Sequence, residues 1–430
     1  MLRTGRLRMP WRGRKSNYVR IRRGLDLAIS GAPRQVIEEG GKISRVAVLR
    51  SDFPEVRPAM QIAVGDRVAV GETLFVDRRR PRIAFTAPAS GRVLSIISNE
   101  PSGKTQCVEI QVEGEATKTL EPLPPDPTRD EIQTWLLTSG MWPALRARPF
   151  GGIPDPGTVP SALFVTAMDS NPLAAAAEVV IAAYQADFAA GLEILKHLTD
   201  GPLHVCQAPG PALASGAVTF AGPHPAGLPG THIHFLRPVG GGHTVWHVNY
   251  QDTIAIGHLF RTGRFWTDRV IALAGPGVRE PRLCRTRVGA SIEDLTSGHL
   301  QDGNLRVITG SVLSGREEPY LGRYHLQVSV IGDGGGSRRK SFGSWLATRS
   351  RRGRIGPLIP LASFDRVMPV DLVVVPLLRA ISVGDRDTAQ RLGCLELVEE
   401  DVALLTYVCP GNRDYGRLLR RVLDDIKADR

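Results

Sequence analysis

The sequence contains no long apolar run and no apolar leader segment. No stretch reaches the roughly eighteen apolar residues that a membrane-spanning helix needs. The best candidate, Ala174–Ala190, is interrupted by Glu178, Gln185 and Asp187. No apolar segment follows the arginines of the N-terminus, which argues against a secretory signal. The sequence therefore predicts neither a transmembrane helix nor a cleaved leader.

Cysteine is scarce and unpaired. The five cysteines form no C-x-x-C pair and are odd in number. This pattern disfavours a disulfide framework and the standard zinc and iron–sulfur sites. It favours a reducing compartment.

The chain also lacks the short motifs of phosphate binding and hydrolysis. It has no G-x-G-x-x-G, no Walker loop, no H-E-x-x-H and no G-x-S-x-G. No catalytic residue is therefore assigned from a motif.

Acidic residues are absent from two basic segments. The first 23 residues hold eight Arg and one Lys, and residues 334–364 hold six Arg and one Lys, although the whole chain has a net charge of only +11. A nucleic-acid-binding protein would instead show a basic face on folded elements, with interleaved aromatics, so no nucleic-acid partner is expected. Two interpretations stay open: attraction to anionic lipid headgroups, or solvated segments without a partner.

The length of 430 residues predicts about three domains with flanking segments. Composition and pattern divide the chain into a flexible basic arm, a β domain, an α/β domain, a second β domain, a basic linker and a helical end. Their expected bounds are 1–16, 17–120, 121–258, 259–332, 333–363 and 364–430.

The first β domain shows short alternating strands with glycine turns. Its pattern V-G-D-x-V-x-x-G-x-x-L, followed by A-P-x-S-G-x-V, is similar to biotinyl and lipoyl domains of the barrel-sandwich type. A swinging arm needs a lysine in the exposed hairpin, yet none lies between Lys42 and Lys104. A carrier function is therefore disfavoured.

The middle of the chain alternates strands and helices, which predicts a parallel α/β sheet. Residues 260–332 return to short strands, and residues 365–430 are predicted to be helical. The predicted elements of the middle part are a helix at Asp130–Ser139, strands at Ala162–Asp169 and Leu203–Gln207, and helices at Leu173–Tyr184 and Phe188–Leu198.

Two groups of polar residues suggest sites. Asp169 follows a buried strand, where α/β sheets bind ligands, but capping of the Asn171-Pro172 turn is the favoured interpretation. His232 and His234 on a strand would face the same side and suit a metal, but hydrogen-bonded histidines at a domain or subunit contact are favoured. The six clustered histidines are His224, His232, His234, His243, His247 and His258.

Several strings together resemble the A subunits of the sodium-translocating NADH:quinone reductases. The resemblance runs from about Tyr18 to the C-terminus and is interrupted only in the basic linker. The strings include Arg23–Leu27, Phe85–Gly91, Arg148–Phe150, Phe164–Asp169, Gly222–Leu228, Gly230–Phe235, Trp246–Asp252, Gly310–Gly315, Tyr320–Leu326, Gly393–Leu397 and Tyr407–Gly411.

This resemblance implies an α/β multidomain fold. Its parts are a barrel-sandwich (biotinyl/lipoyl-like) domain, a Rossmann-like α/β domain, a β-grasp soluble-ligand-binding domain and a helical C-terminus. It implies a peripheral protein on the cytoplasmic face of a bacterial inner membrane. The whole complex, a translocase, oxidises NADH, reduces ubiquinone and pumps sodium outward. The chain would meet the B to F subunits, chiefly the membrane-embedded B subunit, and would have no self-contained active site.

More distant relatives, the C subunit of the Rnf complex and the flavoprotein subunit of complex I, hold flavin and NADH on a Gly-rich loop. The equivalent loop here looks like Ser139–Phe150, where only Gly140 remains of the glycines. Thr406–Pro410 resembles the end of an iron–sulfur motif whose partner cysteines are missing, and Ser215–Val218 lacks the threonine of a covalent flavin site. The resemblance therefore implies no cofactor on this chain; the alternative is an Rnf-type subunit that binds flavin and NADH.

In place of glycines, the loop carries Trp142, Arg146, Arg148 and Phe150. Three interpretations are open for these residues. They fill the vacated flavin pocket and pair with nearby acids, they contact a partner subunit, or they contact ubiquinone directly.

Overall fold

A computed structural model describes residues 17–96, 107–239, 242–332 and 356–429. The basic arm 1–16 and most of the basic linker lie outside the described residues, so their attraction to lipids stays a prediction. Within the described ranges, no helix combines the length and the apolar character that a bilayer crossing requires.

The first β domain consists of two facing sheets. Val46, Leu74, Ile83 and Ile110 fill the space between them and are fully buried. Gly65 and Gly71, both with positive φ, make the predicted glycine turns. In spatial order, the four-stranded sheet is Arg45–Leu49, Cys107–Val112, Gly91–Ile96 and Arg67–Val68, and the three-stranded sheet is Pro58–Met60, Thr73–Asp77 and Arg80–Thr86.

The α/β domain contains the predicted parallel sheet, with one antiparallel edge strand. The six strands in spatial order are Tyr18–Arg20, Val218–Ala221, Leu203–Gln207, Leu163–Ala167, Val245–Asn249 and Arg146–Arg148, the last being antiparallel. Its helices are Arg129–Thr138, Ala177–Ala183, Gln185–Lys196, Pro229–Leu236 and Tyr250–Thr262. Thr128 and Glu131 form a capping box that fixes the start of the first of these helices.

The second β domain is a mixed five-stranded sheet. Its order is Leu305–Thr309, Gln327–Gly332, Asp268–Ala274, Arg282–Arg287 and Arg34–Glu39, with a short helix at Ile292–Thr296. Together with the first two domains, this sheet gives the multidomain architecture of mixed sheets and helices that the sequence predicted.

The N-terminal segment crosses the expected domain boundaries. Tyr18–Arg20 and Arg34–Glu39, both assigned from sequence to the first β domain, pair with the six-stranded and the five-stranded sheet respectively. The expected boundary at residue 258 lies inside the helix Tyr250–Thr262. Both differences arise because long-range strand pairing and helix length leave no local signal in these segments.

The C-terminal part is helical, as predicted. The amphipathic helix Tyr415–Ala428 buries Leu419, Val422, Leu423 and Ile426 against the other helices. Those helices are Ala362–Val367, Val374–Val383, Arg386–Arg391 and Ala403–Val408, with 3-10 turns at Cys394–Glu396 and Glu399–Val402. Ile308 and Ile331 of the second β domain belong to the same core, so the two parts pack as one unit.

Candidate functional site

A cavity of about 320 Å³, which we call the central cleft, opens where the α/β domain, the second β domain and the helical domain meet. Asp169 and Asn249 line it at the carboxyl ends of two parallel strands, which is the edge where such sheets bind ligands. The edge strand Arg146–Arg148 contributes Arg146, the second β domain contributes Tyr324, and the helical domain contributes Glu400.

Trp142 lies inside the protein and does not reach the central cleft. Its side chain is fully buried, and its indole Nε1 donates a hydrogen bond to the carbonyl oxygen of Pro154 at 2.9 Å. Its ring meets that of Trp246 edge-on, with 5.4 Å between centroids. Trp142 therefore presents no surface to a quinone or to another protein in this structure, which supports the pocket-filling interpretation.

Arg148 is also fully buried, and it joins the α/β domain to the helical domain. Its Nη1 donates to the Asp401 carboxylate at 2.7 Å and to the carbonyl oxygen of Glu396 at 3.1 Å. Its Nη2 lies 3.3 Å from the Glu400 carboxylate. The arginine thus pairs with nearby acids, and its buried Nε has no hydrogen-bond partner among the described residues.

Arg146 is the member of the sequence-predicted set that lines the cleft. Its guanidinium lies 4.6 Å from the ring centroid of Tyr324, and its Nη1 finds no hydrogen-bond partner among the described residues. The Tyr324 hydroxyl donates to the carbonyl oxygen of Pro143 at 2.7 Å. Burial raises the pKa of Tyr324 to about 12, so it stays protonated. Arg146 therefore covers one face of the Tyr324 ring at the wall of the cleft, and its unpartnered Nη1 is itself buried.

Phe150 lies half-buried next to the cleft, on a backbone with a φ of 79°. Its carbonyl oxygen accepts a hydrogen bond from Arg420 Nη1 at 2.9 Å, and the Lys427 ammonium lies 6.0 Å from its ring centroid. Contact with a partner protein remains a prediction for this residue.

The acids of the 3-10 turn Glu399–Val402 differ in their electrostatics. Burial, followed by the charge of Asp401, raises the pKa of the Glu400 carboxyl to about 7, against the opposing effect of Arg148. Burial also acts to raise the pKa of Glu399, but its bonds to Arg420 outweigh this and lower it. Glu400 thus exchanges its proton near neutral pH in the wall of the cleft.

Asp169 serves as the predicted cap and also lines the cleft. Its Oδ1 accepts hydrogen bonds from the backbone and side-chain nitrogens of Asn171 at 2.8 and 2.9 Å. Burial raises its pKa, although those bonds oppose the shift. The turn-capping interpretation is confirmed.

The histidine cluster does not follow the predicted strand. His232 and His234 lie on the helix Pro229–Leu236, so the expectation of two rings on one strand face is wrong. Proline is favoured in the first turn of a helix, and Pro229 occupies that position here, which explains why the segment is a helix and not a strand. The buried His232 ring bonds to the carbonyl oxygen of Ala226 at 3.0 Å.

Among the other histidines, His234 makes the kind of domain contact that the favoured interpretation predicted, whereas His258 bonds to a residue of its own domain. His234 Nδ1 lies 2.7 Å from Glu396 Oε2, across the contact between the α/β and helical domains. His258 pairs with Asp187 at 3.1 Å. In the part of the chain that the structure describes, no three His, Cys, Asp or Glu residues converge as metal ligands.

The loop Ser139–Phe150 does not fit a flavin phosphate. A Cβ on Gly140 would lie 2.5 Å from the Thr86 side chain, so this glycine serves packing against the first β domain. Trp142 and Leu145 are fully buried in the interior. The buried Cys409 sulfur lies 3.5 Å from the Tyr415 hydroxyl, in the helical core.

Sequence reasoning missed Tyr324 and Glu400 as cleft residues. They come from domains that carry no ligand motif, and they reach the cleft only through the packing of domains. The string Tyr320–Leu326, noted for its resemblance, was the one local signal for Tyr324.

Three family models match the chain. They are described as the NqrA N-terminal barrel-sandwich hybrid domain over residues 19–121, the NqrA second alpha/beta domain over residues 127–265, and the NQRA C-terminal domain over residues 270–318.

Curated relatives match over nearly the whole chain. The A subunit of the Na(+)-translocating NADH-quinone reductase from Klebsiella pneumoniae (strain 342) is 47% identical over 453 residues, covering 96% of this chain and 100% of the relative. Its counterpart from Serratia proteamaculans (strain 568) is 48% identical, with the same coverage. Among solved structures, an NAD+-reducing [NiFe]-hydrogenase in the air-oxidised state aligns with a TM-score of 0.39 at 13% identity, over 70% of this chain and 61% of that chain. Similarity at that level is too low to bear on function.

Proposed function

Because the chain belongs to the family of A subunits of the Na(+)-translocating NADH-quinone reductases, we propose that it acts as a cofactor-free peripheral subunit that shapes the quinone-reduction region of that complex. The observation that carries this proposal is the full-length identity of 47% to a named A subunit. The chain is thus one component of a complex that transports sodium and electrons. The finer assignments below rest on its geometry.

The central cleft supports contact with a quinone head group. A quinone has a flat apolar body and two carbonyl acceptors. Arg146 brings positive charge to the wall of the cleft, where its guanidinium lies over the aromatic ring of Tyr324. Reduction to the quinol consumes protons, and Glu400 holds one near neutral pH. In this proposal, Arg146 orients a carbonyl oxygen and Glu400 supplies one of the two protons, the second coming from solvent. The two electrons come from flavins and iron–sulfur centres on other subunits.

The absence of a flavin on this chain is part of the proposal. Its support is that Trp142 is fully buried in this loop and that Gly140 packs against Thr86, where a flavin-binding loop would present its glycine backbone to a phosphate. The absorbance spectrum of the purified chain tests this point. We expect no flavin band, and a band at a stoichiometric level would favour the Rnf-type alternative.

The proposed position is the cytoplasmic face of the inner membrane, docked on the membrane-embedded B subunit. Membranes from cells that contain the whole complex should retain the chain at low salt. Release by high salt without detergent would indicate attachment by the basic segments, since salt screens such attraction. Chain found only in the soluble fraction would contradict the docking proposal.

The quinone role is tested in the assembled complex with Arg146→Gln. We expect a raised Michaelis constant for ubiquinone, with unchanged assembly and unchanged NADH oxidation by an artificial acceptor. Arg279→Gln is the matched control, since this half-exposed arginine lies in the second β domain and does not line the cleft. Loss of assembly in Arg146→Gln would instead indicate an interface, and equal kinetics of the two variants would overturn the quinone contact.

A further inference from the structure

A second cavity, of about 270 Å³, opens between the two sheets of the first β domain. It shares no lining residue with the central cleft. Its walls are mainly apolar, and we call it the sandwich cleft. Its principal wall residues are Val48, Phe53, Val56, Met60, Phe75 and Ile96.

Two arginines also line the sandwich cleft. The guanidinium of Arg50 is held by the carbonyl oxygens of Val56 and Pro54, so its position is fixed without a carboxylate. Arg78 lies exposed at the tip of the hairpin formed by Thr73–Asp77 and Arg80–Thr86. Within the described ranges, neither arginine has an ion-pair partner.

The surroundings reinforce this positive charge. Arg57, Arg79 and Arg82 are exposed nearby on the same hairpin and the adjoining strand, and they too form no ion pair within the described residues. The closest acid in sequence, Asp77, is fully buried and already engaged, because it accepts a hydrogen bond from Arg80 Nε at 2.8 Å. Asp77 therefore does not neutralise the exposed arginines. Glu109 and Glu318 act on Cys107 in the wall of the cleft, and Glu109 already pairs with Arg45.

Apolar walls with a cationic rim define the chemistry of the occupant. A small polar anion would leave the apolar walls in contact with water, which costs free energy. A neutral apolar molecule would leave the two guanidinium groups without an anion to balance their charge. An amphiphile with a hydrocarbon chain and an anionic head satisfies both parts of the site.

We propose that the sandwich cleft binds an anionic phospholipid, with an acyl chain between the two sheets and the phosphate at Arg50 and Arg78. The site consists of folded residues of the first β domain and does not involve the basic arm or linker. It would turn this end of the domain toward a membrane surface. The proposal does not depend on quinone chemistry in the central cleft.

Cys107 provides a probe inside the site. It lines the sandwich cleft and is half-buried, whereas the other four cysteines are buried. Burial raises the pKa of the Cys107 thiol to about 11, so labelling with N-ethylmaleimide is best followed at mildly alkaline pH. The basic arm and linker contain no cysteine, so lipid bound to them does not shield this thiol directly.

The test measures the labelling rate of Cys107 in the full-length chain. Dioctanoylphosphatidylglycerol, at about ten times its dissociation constant, is expected to slow labelling by about tenfold. Dioctanoylphosphatidylcholine and glycerol 3-phosphate at the same concentration are expected to have little effect. The anionic lipid should also raise the temperature of thermal unfolding, which gives a second readout if labelling is slow. Cys107→Ser confirms the labelled position.

Two variants distinguish binding at the arginines of the cleft from a general effect of the positive charge of the chain. Arg78→Gln is expected to raise the lipid concentration needed for protection by about tenfold, the loss of one charge-assisted contact. Arg92→Gln makes the same charge change on an exposed strand position that does not line the cleft, and it should behave like the parent chain.

Three outcomes would overturn the proposal. The first is the absence of both protection and thermal stabilisation by the anionic lipid. The second is equal protection by phosphatidylcholine or by glycerol phosphate, which would show an apolar or a purely ionic site. The third is protection in the assembled complex that survives removal of lipid by detergent, which would assign the cleft to another protein of the complex.

Discussion

Two buried ion-pair junctions hold the α/β domain to its neighbours, and their charge balance is opposite. In the acid-rich junction, Arg148 faces both Glu400 and Asp401 of the helical domain. In the arginine-rich junction, Asp252 faces Arg269 and Arg323 of the second β domain, with Arg323 Nη1 at 2.8 Å.

The arginine-rich junction also reaches the first β domain. The backbone N–H of Arg323 donates to Asp52 at 2.8 Å, and Asp52 pairs with Arg316. Burial lowers the pKa of Arg269 to about 10, which leaves it charged at neutral pH. Burial acts to raise the pKa of Asp252, but the two guanidinium groups outweigh it and lower the pKa. Arg269 and Asp252 therefore keep their charges from mildly acidic to mildly alkaline pH.

The acid-rich junction behaves differently because one carboxyl is in excess. Arg148 cannot neutralise two acids, and the pKa of Glu400 lies near 7. In the junction with excess guanidinium, the paired groups keep their charges across the neutral pH range. In the junction with excess carboxylate, one carboxyl gains or loses its proton near neutral pH. Of the two junctions, the one with the helical domain, next to the central cleft, is therefore the one expected to respond to pH.

The largest expected effect comes from Asp252→Ala. This change leaves Arg269 buried without a carboxylate and should cost about 3–5 kcal/mol of the free energy of unfolding. Urea unfolding measures the loss, which should be the same at pH 6 and pH 8. Asp302→Ala, at an exposed ion pair, is the matched control and should change little. Equal effects of the two substitutions would show that the arginine-rich junction does not hold the domains.

Arg148→Met should have a somewhat smaller effect, and one that depends on pH. It leaves Glu400 and Asp401 without their buried cation, at a cost of about 3 kcal/mol near pH 8. At pH 6 the cost should fall, because the acids can take up protons. The same urea series measures both values. If the loss in free energy of unfolding were the same at pH 6 and pH 8, the two junctions would not differ in their response to pH.

Glu400→Gln isolates the titrating group. The folded chain holds this proton to about pH 7, whereas the unfolded chain releases it near the ordinary value of 4.5. The protonated carboxyl therefore favours the folded state at low pH, and this contribution is lost as pH rises from 4.5 to 7. Because 35% of the side chain is exposed, we expect about 1 kcal/mol after allowance for screening. Glu400→Gln should flatten this part of the stability profile.

Glu399→Gln is the natural counterpart, since Arg420 lowers the pKa of Glu399. Its contribution is present above its unfolded pKa and is lost as pH falls. The glutamine variant should therefore be less stable at neutral pH, with the difference shrinking toward acid. Profiles of the same sign for both variants would contradict the assignment of Glu400.

The smallest effect is expected from Cys394→Ala and Cys409→Ala. Both thiols lie in the core of the helical domain, so each change should cost about 1 kcal/mol in packing. Quinone reduction by the assembled complex should stay near normal. Loss of activity with assembly intact would give the helical domain a redox role beside its ion pairs.

The sequence predicted the parts of the fold that have local signals. The alternation of strand and helix indicated the parallel sheet, and the strand Leu203–Gln207 has the predicted bounds. The Asp169 cap followed from the Asn171-Pro172 turn. The segment around His232 was assigned to a strand because an apolar run of a few residues fits both the helical and the strand period. In the structure it is a helix that begins at Pro229.

The site was less predictable because it is assembled from distant parts of the chain. Trp142 and Arg148 carried the right chemistry for a ligand, but their burial depends on Trp246 and Asp401, which lie far away in sequence. Glu400 became a candidate only when its neighbours were known, since a raised pKa depends on surroundings that a sequence does not show.

The N-terminal strands impose an order on synthesis. Tyr18 emerges early from the ribosome, but its partner Thr219 emerges much later, and Arg34 must wait for Arg282. The barrel sandwich between them can close first, because its strands all lie within residues 45–112. The nascent chain therefore carries two unpaired edge segments on a finished domain. Translation must pass Asn249 before the six-stranded sheet can be complete, and Gly332 before the five-stranded sheet can be. A chain released before residue 282 would keep Arg34–Glu39 as an unpaired strand, a ready template for aggregation.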